Sequence, residues 1–113
     1  MIFQRILNGY LDAIDFTDCG PDDGEKADAP WSESLFIVAE SHVVEFLSLA
    51  PADLLDGIEP EQIGHDIWLT RCGHGAGFWD RDLGDRGDRL SDICNRMGEV
   101  YTYVSDDGEL HMC

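Results

Sequence analysis

The stretch that decides the fold class is Gly64-His65-Asp66-Ile67-Trp68-Leu69-Thr70-Arg71. In an extended chain, Ile67 and Leu69 would lie on one side and Trp68 on the other. Because side chains of a strand alternate between its two faces, residues 65–71 are predicted to form a strand. Three glycines follow within a few residues, so residues 76–79 are predicted to return as a second strand.

The chain after this stretch is predicted to form one helix and two further strands. Apolar side chains recur at helical spacing over residues 83–97, and Gly98 suits the C-terminal cap of that helix. Residues 100–104 alternate in the manner of a strand. The dipeptide Asp107-Gly108 is a strong signal for a two-residue hairpin turn, so residues 109–112 are predicted to pair with that strand.

The chain before the deciding stretch is predicted to form two helices. Residues 3–16 carry apolar side chains at i, i+3, i+4, i+7, i+8 and i+11. The second helix ends near residue 49 and begins after Ser32, a residue type that accepts hydrogen bonds from the first N–H groups of a helix. Its predicted buried stripe includes Phe36.

Turn-forming residues fill the segments between these helices. Residues 17–31 are predicted to be a loop, and residues 51–63 a linker with one helical turn at residues 52–55. Taken together, the chain is predicted to be a single α+β domain over residues 1–113. About three helices would pack on a small antiparallel sheet of three to four strands.

Net charge is the dominant compositional feature. The 113 residues contain 24 acidic and 7 Lys or Arg side chains, giving −17, while a hydrophobic content of 43% is sufficient for a folded core. Duplex DNA carries one charge per about 1.7 Å, so this protein has as much charge across its width as DNA of equal length. Direct binding to nucleic acid or an anionic membrane is therefore disfavoured, and binding to a basic protein surface is favoured.

The negative charge is concentrated in the N-terminal part of the chain. Residues 1–64 contain 14 acidic and 2 basic side chains, a net charge of −12. In and just before the predicted helix over residues 83–97, three acid-first pairs stand at i,i+4 and are predicted to neutralise each other: Asp82–Arg86, Asp85–Arg89 and Asp92–Arg96. The carboxylates predicted to face a partner are therefore those of the first two helices and the loops beside them: Asp12, Asp15, Asp18, Asp22, Asp23, Glu25, Asp28, Glu33, Glu40, Asp53, Asp56, Glu59 and Glu61.

Cysteine and histidine spacing leaves two chemical alternatives open. Cys72-x-His74 and His111-x-Cys113 could form a zinc site, although their spacing matches no standard zinc motif. A hydrolase would have to use His65, His74, Asp66 and Asp80, but no nucleophile stands in a recognised motif. The sequence therefore favours a non-catalytic protein with no cofactor. A disulfide framework is not expected, since the start of the chain does not have the pattern of a signal peptide.

The segment Gly64-His65-Asp66-Ile67-Trp68-Leu69-Thr70-Arg71, with Gly73-His74-Gly75-Ala76-Gly77-Phe78-Trp79-Asp80-Arg81 after it, resembles a set of small acidic proteins encoded by bacteriophages and other mobile elements. The resemblance covers about residues 60–110 and includes a Tyr-Val-x-Asp-Asp-Gly hairpin at residues 103–108. Cys72 stands where the family has Asn, and the tail after the hairpin is not part of the pattern.

This resemblance implies a protein that inhibits bacterial defence in the host cytoplasm. The implied function is an anti-CRISPR that resembles DNA in charge, occupies the basic nucleic-acid-binding surface of a CRISPR effector and blocks target DNA. Two alternatives stand beside it. One is an inhibitor of a restriction enzyme; the other is an interaction module whose acidity confers only solubility and whose contact uses the aromatic segment with Trp68, Phe78 and Trp79.

Overall fold

Five helices and a two-stranded antiparallel sheet make up the part of the chain that the structure, a computed structural model, describes: residues 2–16, 29–72, 77–78 and 83–112. The elements in order are α1 (Ile2–Phe16), α2 (Glu33–Leu49), α3 (Ala52–Leu55), α4 (Pro60–Cys72), α5 (Asp85–Met97), β1 (Thr102–Val104) and β2 (Leu110–Met112). The α+β class is compatible with this architecture, but the prediction of three helices on three to four strands is wrong in both counts.

The deciding stretch forms a helix rather than a strand. It lies within α4, which starts at Pro60, a residue whose fixed φ suits the first turn of a helix. Side chains are buried on more than one side of α4, including Ile63, Ile67, Trp68 and Thr70. A helix that is buried on several sides has no single apolar stripe, so four of its residues can imitate the alternation of a strand. Further along, Gly77 and Phe78 are not in a strand either.

Two glycines let α1 and α4 pack in backbone contact. A Cβ atom on Gly64 would lie 2.0 Å from the carbonyl oxygen of Ile6 and 2.5 Å from the backbone nitrogen of Tyr10. A Cβ atom on Gly9 would lie 2.0 Å from the carbonyl oxygen of Glu61. Any side chain at either position would push the helices apart, so this close crossing depends on the two glycines.

The hydrophobic core is built around aromatic side chains from three helices and from Phe78, which follows α4. Tyr10 of α1 meets Trp68 of α4 edge to face, with ring centroids 5.7 Å apart. Phe46 of α2 stacks on Phe78, also at 5.7 Å. All four side chains are fully buried. Aromatic contacts of this kind fix the relative positions of helices more tightly than aliphatic packing alone.

The hairpin of β1 and β2 is attached to the start of α2. The turn between the strands contains Gly108 at φ +79°, where the Asp-Gly signal places it. The predicted two-residue turn is nevertheless wrong in length, because Val104 pairs with Leu110 and the N–H of Ser105 donates to the carbonyl of Glu109, which leaves a three-residue loop over 106–108. Leu110 accepts a hydrogen bond from the backbone N–H of Ser32 at 3.0 Å and donates one to the carbonyl of Pro30 at 2.8 Å. The residues before α2 therefore add a short parallel bridge, Trp31 to Leu110, in place of a further strand.

The predicted helix boundaries are confirmed for α1, α2 and the helical turn of α3. The third predicted helix begins at Asp85, two residues later than expected, and its C-terminal cap is Gly98 as predicted. Cys72 is disulfide-bonded, whereas Cys94 is free and buried. The expectation that the chain has no disulfide framework is thus wrong for Cys72.

Candidate functional site

The predicted partner-binding carboxylates fall into two groups. Eight lie in described elements, and five lie outside the described residues: Asp18, Asp22, Asp23, Glu25 and Asp28. Of the eight, all but one are exposed, on α1, on α2 and around α3: Asp12, Asp15, Glu33, Glu40, Asp53, Asp56 and Glu59. Glu61 is the partly buried exception. An acidic surface is therefore present where the sequence predicted one.

Glu59 and Glu61 are already paired within the protein. Arg5 of α1 donates to both carboxylate oxygens of Glu61 through its Nε and Nη2 atoms at 2.7 Å, and Nη2 also donates to Glu59 at 3.2 Å. The hydrogen bonds from Arg5 are the main reason that the pKa of Glu61 is lowered to about 2. These two carboxylates are partly neutralised and are less suited to replace phosphates than the others.

The outer side of α2 carries acidic and apolar residues in alternation. Glu33, Ile37, Glu40 and Val44 stand at i, i+4, i+7 and i+11, which places them on one narrow stripe of the helix. All four are exposed, with 63% of Ile37 and 53% of Val44 accessible to solvent. We call these four residues the acidic–apolar ridge.

The ridge has no cation near it in the sequence. No Lys or Arg occurs between Lys26 and Arg71, so α2 and α3 contain none. Phe36, predicted to be buried, is 45% exposed and flanks the ridge. Ile37 and Val44, at i and i+7 on the side opposite the buried stripe, are the signal in the sequence that indicates this surface. Large apolar residues exposed beside charged ones are typical of protein-contact surfaces.

The charges of α5 do not pair as predicted. Within the described part of the chain, neither Asp85–Arg89 nor Asp92–Arg96 forms an ion pair. Asp82, the predicted partner of Arg86, lies outside the described residues, and Arg86 donates to the carbonyl oxygen of Asp56 at 2.7 Å. Solvated i,i+4 pairs contribute only tenths of a kcal/mol, so the long side chains gain little from holding one geometry. The exposed carboxylates of α5 are thus a second acidic surface, interrupted by arginines.

A chain of hydrogen bonds runs through the interior from Arg71 to His42. Arg71 donates to the carbonyl oxygens of Gly98 and Met97 at 2.9 and 3.3 Å, and also to the hydroxyl of Tyr10 at 3.3 Å. That hydroxyl also forms a hydrogen bond with Nδ1 of His42, at 2.9 Å. Burial, with Arg71 nearby, lowers the pKa of His42 to about 4. The guanidinium group therefore supplies hydrogen bonds to the carbonyl groups at the C-terminal end of α5, and the role of this hydrogen-bond network is structural.

The hairpin contains a second polar cluster, which lies at the protein surface. Nδ1 of His111 is 3.0 Å from the hydroxyl of Ser34 and 3.3 Å from that of Ser32. Nε2 of His111 is 3.1 Å from a carboxylate oxygen of Asp107. One ligand atom each of Asp107, Glu109 and His111 lies within 4.8 Å of the others. The spacing of His111 and Cys113 alone does not indicate this cluster; the signal for it is Asp-x-Glu-x-His at residues 107–111, whose side chains would fall on one face of an extended strand.

The other predicted sites are not assembled in the described structure. Trp68 and Phe78 are fully buried and cannot stack on a base or contact a partner, while Trp79 lies outside the described residues. Asp66 is also buried, and it accepts a hydrogen bond from Gln62 at 2.9 Å. As a disulfide-bonded cysteine, Cys72 has no thiolate to offer a metal.

His65 of the hydrolase alternative lies half-buried in α4. The other residues of the zinc and hydrolase alternatives, His74, Asp80 and Cys113, lie outside the described residues. No described helix combines the length and the apolar character that crossing a membrane requires. Comparison of the chain with protein families, with characterised proteins and with solved structures finds no significant match to any of them.

Proposed function

We propose that this protein binds a basic, nucleic-acid-binding surface of another protein and prevents nucleic acid from reaching it. The observation that carries the proposal is the acidic–apolar ridge of α2, in which exposed carboxylates and exposed apolar side chains alternate with no cation between them. The described residues include 14 exposed carboxylates but only three exposed arginines. The surface is therefore one-sided in sign as well as acidic in total.

Two kinds of interaction would act at the ridge. Glu33 and Glu40 are separated by two helical turns, about 10 Å along the axis, so they can meet two different Lys or Arg side chains. Ile37 lies between the two glutamates and Val44 lies one turn after Glu40, and both would bury apolar area against the partner. Charge pairing would accelerate association and give specificity, and apolar burial would supply a contribution that salt does not screen.

The partner class we propose is a bacterial defence complex in the host cytoplasm, with a CRISPR effector as the leading candidate. The support for this class is the resemblance of residues 60–110 to proteins of bacteriophages and mobile elements, together with the net charge of −17. A restriction enzyme has the same kind of basic DNA-binding surface and is the second candidate. In either case the protein is an inhibitor that acts by occupancy and catalyses no reaction.

A competition assay tests the proposal. Purified effector complexes and restriction enzymes are mixed with labelled target DNA, and the fraction of DNA bound is measured at 50 and 300 mM salt with increasing amounts of this protein. The expected result is displacement of DNA that weakens as salt rises. If the protein displaces DNA from none of them at low salt, the proposal is wrong.

Matched variants separate the ridge from general acidity. Glu33→Gln with Glu40→Gln removes two charges from the ridge, and Asp85→Asn with Asp92→Asn removes the same two charges from α5. We expect at least a tenfold loss for the first pair and less than threefold for the second. Ile37→Ser should weaken binding equally at both salt concentrations. Equal losses of binding for the Glu33/Glu40 and the Asp85/Asp92 double variants would refute the role of the ridge. A further variant, in which Asp22, Asp23 and Asp28 are all changed to Lys, tests the predicted carboxylates outside the described residues.

A further inference from the structure

The hairpin cluster offers the ligand types of a metal site that the proposed function does not use. We propose that Asp107, Glu109 and His111 bind one divalent transition-metal ion of the Zn²⁺ class. The three ligand atoms, two carboxylate oxygens and one imidazole nitrogen, lie within 4.8 Å of one another. Ligand atoms around a tetrahedral ion at about 2.0–2.2 Å are separated by less than this distance, so only small side-chain movements are required.

Two of the three ligands are already held in place by neighbours other than the metal. The carboxylate of Asp107 accepts hydrogen bonds from the hydroxyl of Ser105 and from the backbone N–H of Glu109, the latter at 2.8 Å. The imidazole of His111 stacks on Tyr103, its partner in the strand register, with ring centroids 5.7 Å apart and planes 19° from parallel. Ordering these side chains therefore costs little when an ion binds.

The second nitrogen of His111 has the partner that a metal-ligating histidine requires. When Nε2 coordinates an ion, Nδ1 carries the proton and donates it. The hydroxyls of Ser34 and Ser32, at 3.0 and 3.3 Å, are acceptors in the correct position, and both belong to the start of α2. Such an outer partner fixes the ring orientation and the tautomer, and it raises the basicity of the ligand.

The ligand set and the local charge favour a transition metal over Mg²⁺ or Ca²⁺. Mg²⁺ and Ca²⁺ prefer oxygen ligands alone, whereas imidazole is a preferred ligand of Zn²⁺ and its neighbours in the series. No Lys or Arg occurs after Arg96, so no fixed cation of the hairpin opposes the ion. Three protein ligands leave a coordination position open to water.

Calorimetric titration of the full chain, first treated with a chelator, tests this site with ZnCl₂ alone as the probe. We expect one equivalent of Zn²⁺ to bind, while MgCl₂ and CaCl₂ at the same concentration give much weaker binding. His111→Gln and Asp107→Asn should each weaken Zn²⁺ binding at least tenfold, and Ser34→Ala by up to about tenfold through the outer partner. Asp92→Asn, an exposed carboxylate of α5 with the same charge change, should have no effect.

Three results would overturn the site: no Zn²⁺ binding, binding that survives His111→Gln, or binding that is lost in Cys113→Ser but retained in Asp107→Asn. Circular dichroism of each variant checks that the hairpin change leaves the helices folded. As a second readout, Zn²⁺ should shift the amide resonances of residues 105–111 and leave those of α5 unchanged. Neither measurement involves the defence complex, so this site stands or fails independently of the proposed function.

Discussion

Substitution of Gly64 by Ala is expected to destabilise the protein, although the same change in an ordinary helix is stabilising. The new Cβ atom would lie 2.0 Å from the carbonyl oxygen of Ile6, and contacts below 3.0 Å are essentially never seen, so α1 and α4 must separate by about 1 Å or more. Both contacting atoms, that oxygen and the nitrogen of Tyr10, belong to the backbone and cannot rotate away. The strain must therefore spread into the packing of Tyr10 on Trp68.

The magnitude follows from two opposing terms. Overpacking of a core costs about 1–3 kcal/mol, and the rigid backbone contact places this case near about 3 kcal/mol. Replacing Gly by Ala within a helix returns about 1 kcal/mol. The net loss is about 2 kcal/mol in the free energy of unfolding. For a chain of this size, that corresponds to a decrease of roughly 8 °C in Tm, at about 4 °C per kcal/mol.

Thermal and urea unfolding followed by circular dichroism measure this loss. The urea midpoint should fall while the m-value stays the same, because the surface exposed on unfolding does not change. Asn95→Ala, at an exposed position of α5, is the control and should change stability by less than about 0.5 kcal/mol. Gly9→Ala should cost a similar amount to Gly64→Ala, and the double variant should cost less than the sum, because one separation of the helices relieves both contacts. A Tm of Gly64→Ala equal to or above that of the unchanged protein would refute the backbone crossing.

Three further predictions concern the interior and the disulfide. The pKa of His42 is lowered to about 4, so between pH 6.5 and 4 the unfolded chain binds a proton that the folded protein does not. The free energy of unfolding should therefore fall as the pH is lowered through this window. In His42→Gln, the urea midpoint should depend less on pH between pH 7 and 5 than in the unchanged protein. Replacing Arg71 by Met should cost about 3 kcal/mol, because the hydroxyl of Tyr10 and the carbonyls at the end of α5 lose their donor; a loss below 1 kcal/mol by urea unfolding would contradict its capping role. Cys72 is in a disulfide and Cys94 is free, so an alkylating reagent should modify two of the four cysteines of the denatured protein without reductant and all four with it. Mass spectrometry counts the modified thiols. Reduction of the disulfide should also lower Tm.

The candidate site was only partly predictable from residue types. Seven of the eight described carboxylates that were predicted to face a partner are exposed, because charged side chains remain in water in almost any fold. Pairing was not predictable: Arg5 meets Glu59 and Glu61 only because α1 packs beside α4, more than 50 residues away in the chain. The same holds for His111, whose hydroxyl partner on Ser34 comes from another element.

The sequence alone determined those features that depend on neighbouring residues. The amphipathic period of α1 and the serine cap of α2 depend on contacts within a few residues, and both are found where they were predicted. The Asp-Gly signal located the hairpin turn but not its length, and the buried stripe predicted for α2 is wrong at Phe36. Tertiary structure decided the conformation of residues 64–71. Their alternation is compatible with a strand, but Gly64 allows α4 to touch the backbone of α1, and burial on several sides hides the helical period. The physical reason is that the spacing of apolar residues indicates the type of secondary structure only when one face of the element remains in water. Most of α4 is enclosed by its neighbours, so its apolar residues do not follow a helical period.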